Sequence, residues 1–388
     1  MGSWRLRVLT VGLGLLVAVA AGEVALRVAL PHIDLDPTPG QRRERHPMAA
    51  WAWVDAFCAY RAIPGRYTED GTKTVNRAGF ISTPELDLQK EPRTLRVVFL
   101  GGSSTACTAP NLPDEETWPA VATSHLRAAL PGRKIEFING ALPGYSTFES
   151  YGRLWSRIRF YEPDVVVVYH GWNEMLYFDD VARARLRRVP EEGGSWSFDT
   201  TVAIEPTGRR VTPHPADRWF SWSQIYSRIR VGFGKPMEGE VGPARRTELR
   251  GDYDRKALAV FRQNLELMLA AQKPLGCRVF VAKQATLIRA GLDRESRSRC
   301  AVHYHGFDFD THVRAFDDIY RVIDETVPED QVLDATTLSG TPQVFSDHIH
   351  LTPAGARRLG ELIAVQLIAR LSGAAAGTEA AAPTDRDR

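Results

Sequence analysis

A chain of 388 residues has room for one large domain or two ordinary ones, and its 44% hydrophobic content is that of a globular protein. The 49 basic and 47 acidic side chains leave a formal charge of +2, so nothing in the balance calls for a nucleic acid partner. Cys58, Cys107, Cys277 and Cys300 stand far apart, without a CxxC pair or Cys/His ligand spacing, which argues against a zinc module.

The N-terminus departs from this average. Arg5 and Arg7 precede an uncharged run from Val8 to Gly22 with small residues at Ala18 and Ala20, the pattern of an export signal. The run is shorter than the roughly 20 residues of a membrane span, but after Glu23 the apolar pattern resumes as VALRVAL. Residues 1–30 therefore read as a signal sequence retained as a membrane anchor rather than cleaved. The arginines on the N-terminal side keep that end in the cytoplasm and place the remainder on the extracytoplasmic side, anchored or secreted. In an exported chain the four cysteines allow up to two disulfides, one of which could brace the loop at Cys107.

Residues 31–93 are rich in Pro, Arg and aromatic side chains without a sustained period, and read as a stalk and irregular lead-in whose most ordered piece is TVNRAGF, Thr74 to Phe80. Then comes RVVFLGGSST, Arg96 to Thr105, an apolar run ending in two glycines and a hydroxyl cluster, the pattern of a buried parallel strand and a tight loop. Asp114 is placed to cap a helix with Trp118, Val121, Ala122, Leu126 and Ala129 on one face. A second strand, Ile135 to Asn139, leads into GALPGYSTFES, where Ser146 and Glu149 form a capping box for a helix through Tyr151, Leu154, Trp155 and Ile158. VVVVY, Val165 to Tyr169, is the most β-branched run of the chain and reads as the central strand, ending in HGWNE.

From about 176 to 250 the rhythm breaks. Over 181 to 250 there are 13 Lys plus Arg against 8 Asp plus Glu, and an insertion this long beside a crevice can serve as a substrate lid. Trp196, Trp219 and Trp222 in this stretch read as core packing for the insertion, with stacking on sugar rings as the sharper alternative. Regularity returns with a helix from about Tyr253 to Gln272, a strand Arg278 to Ala282, a helical region near His312 to Ile323 and a strand Gln331 to Ala335. FSDHIHLTPAG, Phe345 to Gly355, opens a last helix with Thr352 as N-cap and Pro353 at its first position, ended by Gly373, and residues 373–388 form a disordered tail. Strands alternating with helices five times predict a parallel sheet with helices on both faces.

Ligands of such sheets sit beyond the carboxyl ends of the strands. Four strand-end loops carry what acyl transfer by a serine requires: Ser103 as nucleophile, His350 as base, Asp347 to orient it, and the Ser103 N–H, the Gly144 N–H and the Asn173 amide as oxyanion donors. Such a site predicts activity that rises with pH as His350 loses its proton. His348 reads as a neighbouring or solvent-facing residue, His170 as a packed residue at a strand end, and His303 with His305 only faintly as a metal site.

FLGGSST, NGALPGYS, HGWNE and SDHIHLTPAG, in that order and over roughly residues 95 to 370, resemble the four blocks of the SGNH, or GDSL, hydrolase superfamily. The block serine falls on Ser103, the glycine on Gly144, the asparagine on Asn173, and the aspartate and histidine on Asp347 and His350. The N-terminal anchor, VNRAGF and GGSST resemble the membrane-anchored, extracytoplasmic branch found in bacteria. The resemblance implies an α/β fold, a flavodoxin-like three-layer sandwich on a five-stranded parallel sheet at 94–372. It also implies hydrolysis of an ester, often an O-acetyl group on carbohydrate, without metal or cofactor. The chain departs from the family at Gly102, where the name-giving motif has aspartate, and at Glu174, where block three usually has aspartate. An O-acyltransferase and a non-catalytic carbohydrate-binding or assembly protein are the competing functions on the same fold.

Overall fold

The structure, a computed structural model, describes residues 3–30, 52–55, 57–65, 73–177, 214, 216–233, 249–253 and 255–379. In chain order these include α1 (Ser3–Ala29), β1 (Ala52–Asp55), β2 (Ala59–Ala62), β3 (Thr94–Gly101), α2 (Trp118–Ala129), β4 (Lys134–Asn139) and α3 (Thr147–Ser156). They continue with β5 (Val165–His170), α4 (Gln224–Phe233), α5 (Lys256–Ala270), β6 (Arg278–Lys283), α6 (Phe309–Thr326), β7 (Val332–Asp334) and α7 (Pro353–Glu379). Two compact units divide the chain: Met1–Ala50 with Thr201–Gly242, and Trp51–Thr200 with Pro243–Arg388.

The second unit is built on a five-stranded sheet in the order β4-β3-β5-β6-β7, every pairing parallel. All eight residues of β3 and all six of β5 are buried, as expected of strands covered on both faces. This is the flavodoxin-like order, in which the chain reverses direction across the sheet between β3 and β5 and opens a crevice at their carboxyl ends. Helices α2 and α7 pack on each other, whereas α5 packs on both α3 and α6. Trp118 of α2 meets Phe99 edge-on at 5.1 Å and Tyr169 at 5.4 Å, fixing that helix over β3 and β5. Arg96 is buried in β3 because its guanidinium is fully used, by Glu136 at 2.7 Å and by the carbonyls of Asp87, Leu88 and Tyr161.

The capping of α3 follows the sequence: Ser146 accepts the Phe148 N–H at 3.3 Å and Glu149 accepts the Ser146 N–H at 2.8 Å. Thr352 likewise accepts the Gly355 N–H at 3.0 Å at the start of α7. The cap of α2 differs. Thr117, not Asp114, accepts the Ala120 N–H at 3.4 Å, because Asp114 is taken up by the Thr74 hydroxyl at 2.6 Å and opens a separate turn. Ala129 is exposed rather than on the buried face. α7 runs past Gly373 to Glu379, since the alanines after that glycine favour helix strongly enough to carry it through; residues 380–388 lie outside the described part.

Two further expectations are corrected. The lead-in is not irregular throughout: β1 and β2 form an antiparallel hairpin, whose turn comes so close to α3 that a Cβ on Gly152 would stand 1.9 Å from the Phe57 carbonyl oxygen. The four cysteines are free and buried. Three of their sulfurs face a nearby backbone carbonyl, of Tyr60 for Cys58, Ser104 for Cys107 and Ser296 for Cys300. Burial pushes the Cys58 thiol up to about 12 and the other three to about 11.

In the first unit, α1 contains a 23-residue stretch, Arg7–Ala29, of mean hydropathy 2.1 with none of it buried. By length and composition it can cross a membrane, a test that signal sequences also pass.

The α2–α7 contact depends on a missing side chain: a Cβ at Gly360 would stand 2.8 Å from the Trp118 carbonyl oxygen and 2.7 Å from Val121 Cβ. Gly360→Ala is expected to lower stability by about 1–3 kcal/mol, as overpacking does, measured as a shift of the urea midpoint. An unchanged midpoint would mean the two helices separate freely.

Candidate active site

Five residues singled out in the sequence come from four loops at the carboxyl edge of the sheet. β3 delivers Gly101, Gly102 and Ser103, the last opening a single helical turn, Ser103–Ala106. The loop after β4 carries Gly144, the loop after β5 carries Asn173, and the segment between β7 and α7 carries Asp347 and His350. Ser103 Oγ lies 2.7 Å from His350 Nε2, and His350 Nδ1 lies 2.6 Å from Asp347 Oδ2. The other carboxylate oxygen, Oδ1, accepts the backbone N–H groups of Ile349 and His350, both at 2.8 Å. Ser103, His350 and Asp347 are each partly exposed, so the line of contacts opens to solvent at the serine.

The electrostatics of this line are set by burial against hydrogen bonding. Burial acts to raise the Asp347 pKa, but the bond and charge of His350, the charge of His348 and the His350 N–H outweigh it and bring the carboxyl down to about 2. Asp347 is thus ionised at any pH near neutrality. With Nδ1 bound to that carboxylate, the neutral imidazole presents Nε2 as an acceptor toward the serine.

The oxyanion candidates are held by close backbone approaches. Asn173 is buried and gives one amide hydrogen to the Tyr145 carbonyl at 2.7 Å, leaving the second hydrogen available. A Cβ at Gly102 would stand 2.5 Å from Asn173 Nδ2 and 3.2 Å from the Tyr145 oxygen, so the glycine in place of the motif aspartate is what admits this amide beside the serine. Gly144 has φ +79°, a backbone conformation that side chains disfavour, and a Cβ there would meet the Tyr60 hydroxyl at 2.9 Å.

Of the residues that position these loops, Glu174 was noted from the sequence only as a departure from the motif, and the others were not singled out. Gln284, at the end of β6, accepts the Trp172 N–H at 2.7 Å through its side-chain oxygen and donates to Ser104 Oγ at 3.3 Å, so one buried amide ties the Ser103 turn to the Asn173 loop. Its only sequence signal is a polar residue just beyond an apolar strand. Glu174, the other departure from the motif, is buried and accepts the Thr147 N–H at 2.7 Å and hydroxyl at 3.0 Å, joining the Asn173 loop to the start of α3. Tyr60 of the hairpin donates to the Pro143 carbonyl beside Gly144, and Tyr145 donates back to the Tyr60 carbonyl. No period in the lead-in could have pointed to Tyr60.

Of the other histidines, His170, His305, His312 and His348 are packed. His348 is buried rather than solvent-facing, its ring 4.0 Å from that of Trp172. His170 meets Ser150 Oγ at 2.8 Å at the end of β5. His305 Nδ1 lies 3.2 Å from His312 Nε2, and the side chain of His303 lies outside the described residues. Among the described residues no group of three or more His, Cys, Asp or Glu is placed to hold a metal. Of the insertion, 178–213 and 234–248, with Trp196 and most of the lid expectation, lie outside the described residues. Trp219 and Trp222 are exposed, by 68% and 65%, and do not form a core there.

No protein-family model and no curated protein matches the chain. Among solved structures it is similar to an acetyl xylan esterase, AlAXEase, at 11% identity and TM-score 0.38, covering 69% of this chain and 98% of that one. It is similar also to Axe2, an acetylxylan esterase from Geobacillus stearothermophilus, at 14% identity and TM-score 0.36, covering 70% and 93%. A third is the lipase/acylhydrolase from Enterococcus faecalis, at 16% identity and TM-score 0.38, covering 71% and 96%.

Burial pulls His170 down to about 3 and both His312 and His348 down to about 4, from an ordinary value near 6.5. A pKa below the working pH leaves these rings neutral, so their imidazole proton resonances are expected to stay constant between about pH 5 and pH 8. Midpoints for any of the three inside that window would contradict their packing.

Proposed function

We propose that the chain is a carboxylic ester hydrolase with Ser103 as nucleophile, His350 as general base and acid, and Asp347 as the carboxylate that orients and stabilises the imidazolium. The observation that carries this is the unbroken line from Ser103 Oγ to His350 at 2.7 Å and on to Asp347 at 2.6 Å. As Ser103 Oγ attacks the ester carbonyl, its proton passes to His350 Nε2 and the carbonyl oxygen becomes an oxyanion. The Ser103 N–H, the Gly144 N–H and the second amide hydrogen of Asn173 surround that oxygen. Collapse expels the alcohol, which takes the proton from Nε2 and leaves an acyl-serine. Water repeats the sequence, giving its proton to His350 and releasing the acid, with Ser103 reprotonated.

The four-block resemblance supports an acyl group on carbohydrate, O-acetyl above all, as the substrate class. α1, long and apolar enough to span a bilayer, supports a membrane-anchored protein whose catalytic unit faces the extracytoplasmic side.

A fluorophosphonate probe is expected to label the full chain at Ser103, and Ser103→Ala is expected to lose label and to lower kcat on acetyl esters by about 10⁴-fold or more. A folded wild-type protein that takes no label, with turnover unchanged in S103A, would refute the assignment. Gly102→Ala tests the oxyanion arrangement separately. Displacing the Asn173 amide is expected to lower kcat by about 10- to 100-fold with KM nearly constant, somewhat less than outright loss of a donor. An equal rise of KM would place Asn173 in ground-state binding instead.

A further inference from the structure

Between Val8 and Leu30 the sequence carries two charges, Glu23 and Arg27. Both are engaged by residues 222–225, about 200 positions later and within the same compact unit. Glu23 Oε1 accepts the Gln224 N–H at 2.8 Å, and its Oε2 accepts the Ser223 hydroxyl at 2.9 Å and the Ile225 N–H at 3.2 Å. Arg27 donates from Nε to Glu23 at 2.8 Å and from Nη2 to the Trp222 carbonyl at 2.5 Å. Ile225 packs beside Gly22, its Cδ1 at ordinary contact distance, 3.6 Å, from where a Cβ would stand. The carboxylate of one helix therefore caps the N-terminus of another, and the two charges neutralise each other in doing so.

This pairing changes what α1 can do. The run Val8–Gly22 covers only about 22 Å at the helical rise, less than the roughly 30 Å of a hydrocarbon core. With Glu23 and Arg27 paired, apolar surface continues past Val24 and Val28, 61% and 83% exposed, and the stretch reaches about 33 Å at Ala29.

The segment that makes the pairing is itself apolar on the outside. Trp219, Phe220, Trp222, Ile229 and Phe233 are all half or more exposed. Ile229 and Phe233 stand four residues apart on one face of α4, and Trp222 lies in the turn just before it. Asp217 accepts from Arg230 Nε at 2.8 Å and from the Tyr226 hydroxyl at 2.7 Å, which binds the turn bearing Trp219 and Phe220 to α4. Tryptophan with flanking arginine is the composition favoured at the boundary between headgroups and acyl chains. The patch adjoins α1, whose own apolar surface is unburied and long enough to cross a bilayer.

We propose that residues 216–233 are a lipid-binding element that beds Trp219, Phe220, Trp222 and Phe233 in the interfacial layer of the bilayer at the C-terminal end of α1. The proposal deepens the anchor reading given above and rests on it.

The test uses the full chain in phosphatidylcholine vesicles whose acyl chains are brominated close to the headgroup, since bromine quenches tryptophan on contact. Trp4, 60% exposed near the start of α1, reports on insertion of α1 itself. Trp4→Phe protein is expected to be quenched by the brominated lipid, and most of that quenching is expected to vanish in W4F/W219F/W222F. The other tryptophans are common to both and cancel in the comparison. If W219F/W222F is quenched while W4F is not, α1 is inserted but the segment is away from lipid, which overturns this proposal and leaves the anchor standing. If neither protein is quenched, α1 does not enter the bilayer and both readings fall.

Discussion

The carboxylate of Asp347 has three N–H partners within four residues, and the geometry of the site depends on that local closure. One oxygen gathers the N–H groups of Ile349 and His350, which folds the segment back on itself, while the other receives the His350 ring. The imidazole is thereby oriented by contacts within its own loop. The same loop is braced from outside: Thr286 donates its hydroxyl to the His348 carbonyl at 2.9 Å, and His348 is wedged against Trp172. What remains is to bring a serine to the free side of the ring, and the sheet does that by ending β3 in two glycines.

Those glycines show why the edge of this sheet can be so crowded. A Cβ at Gly101 would stand 2.0 Å from the Thr105 hydroxyl and 3.0 Å from the Tyr169 carbonyl oxygen, and one at Gly102 would strike the Asn173 amide. Three loops thus approach within contact distance only because the residues between them have no side chains. Gln284 and Glu174 then hold the approach with buried hydrogen bonds, each satisfied by backbone and hydroxyl groups of a different loop.

The sheet was legible in the sequence because its strands are short runs of β-branched residues bounded by Gly, Pro and Asp, and runs buried on both faces have no amphipathic ambiguity. Three of the loops at its edge were legible because each follows such a run, whereas the segment with Asp347 and His350 lies well past β7 and was read from the start of the helix after it. What escaped is what local pattern cannot encode. The choice of Thr117 over Asp114 as a cap depends on Thr74, some 40 residues earlier, claiming the aspartate. The hairpin at 52–62 has no alternation to announce it, and the part it plays through Tyr60 exists only once Gly144 is beside it. The burial of His348 depends on Trp172, which no spacing connects to it.

The four free thiols bear on how the protein meets an oxidising medium. Each is enclosed, unbonded to the others, and favoured in its protonated form by burial. An oxidant in the surrounding medium therefore meets these sulfurs only where the structure around them opens. The turn at Ser103 shares that shelter, because Cys107, only four residues on, is enclosed beneath it.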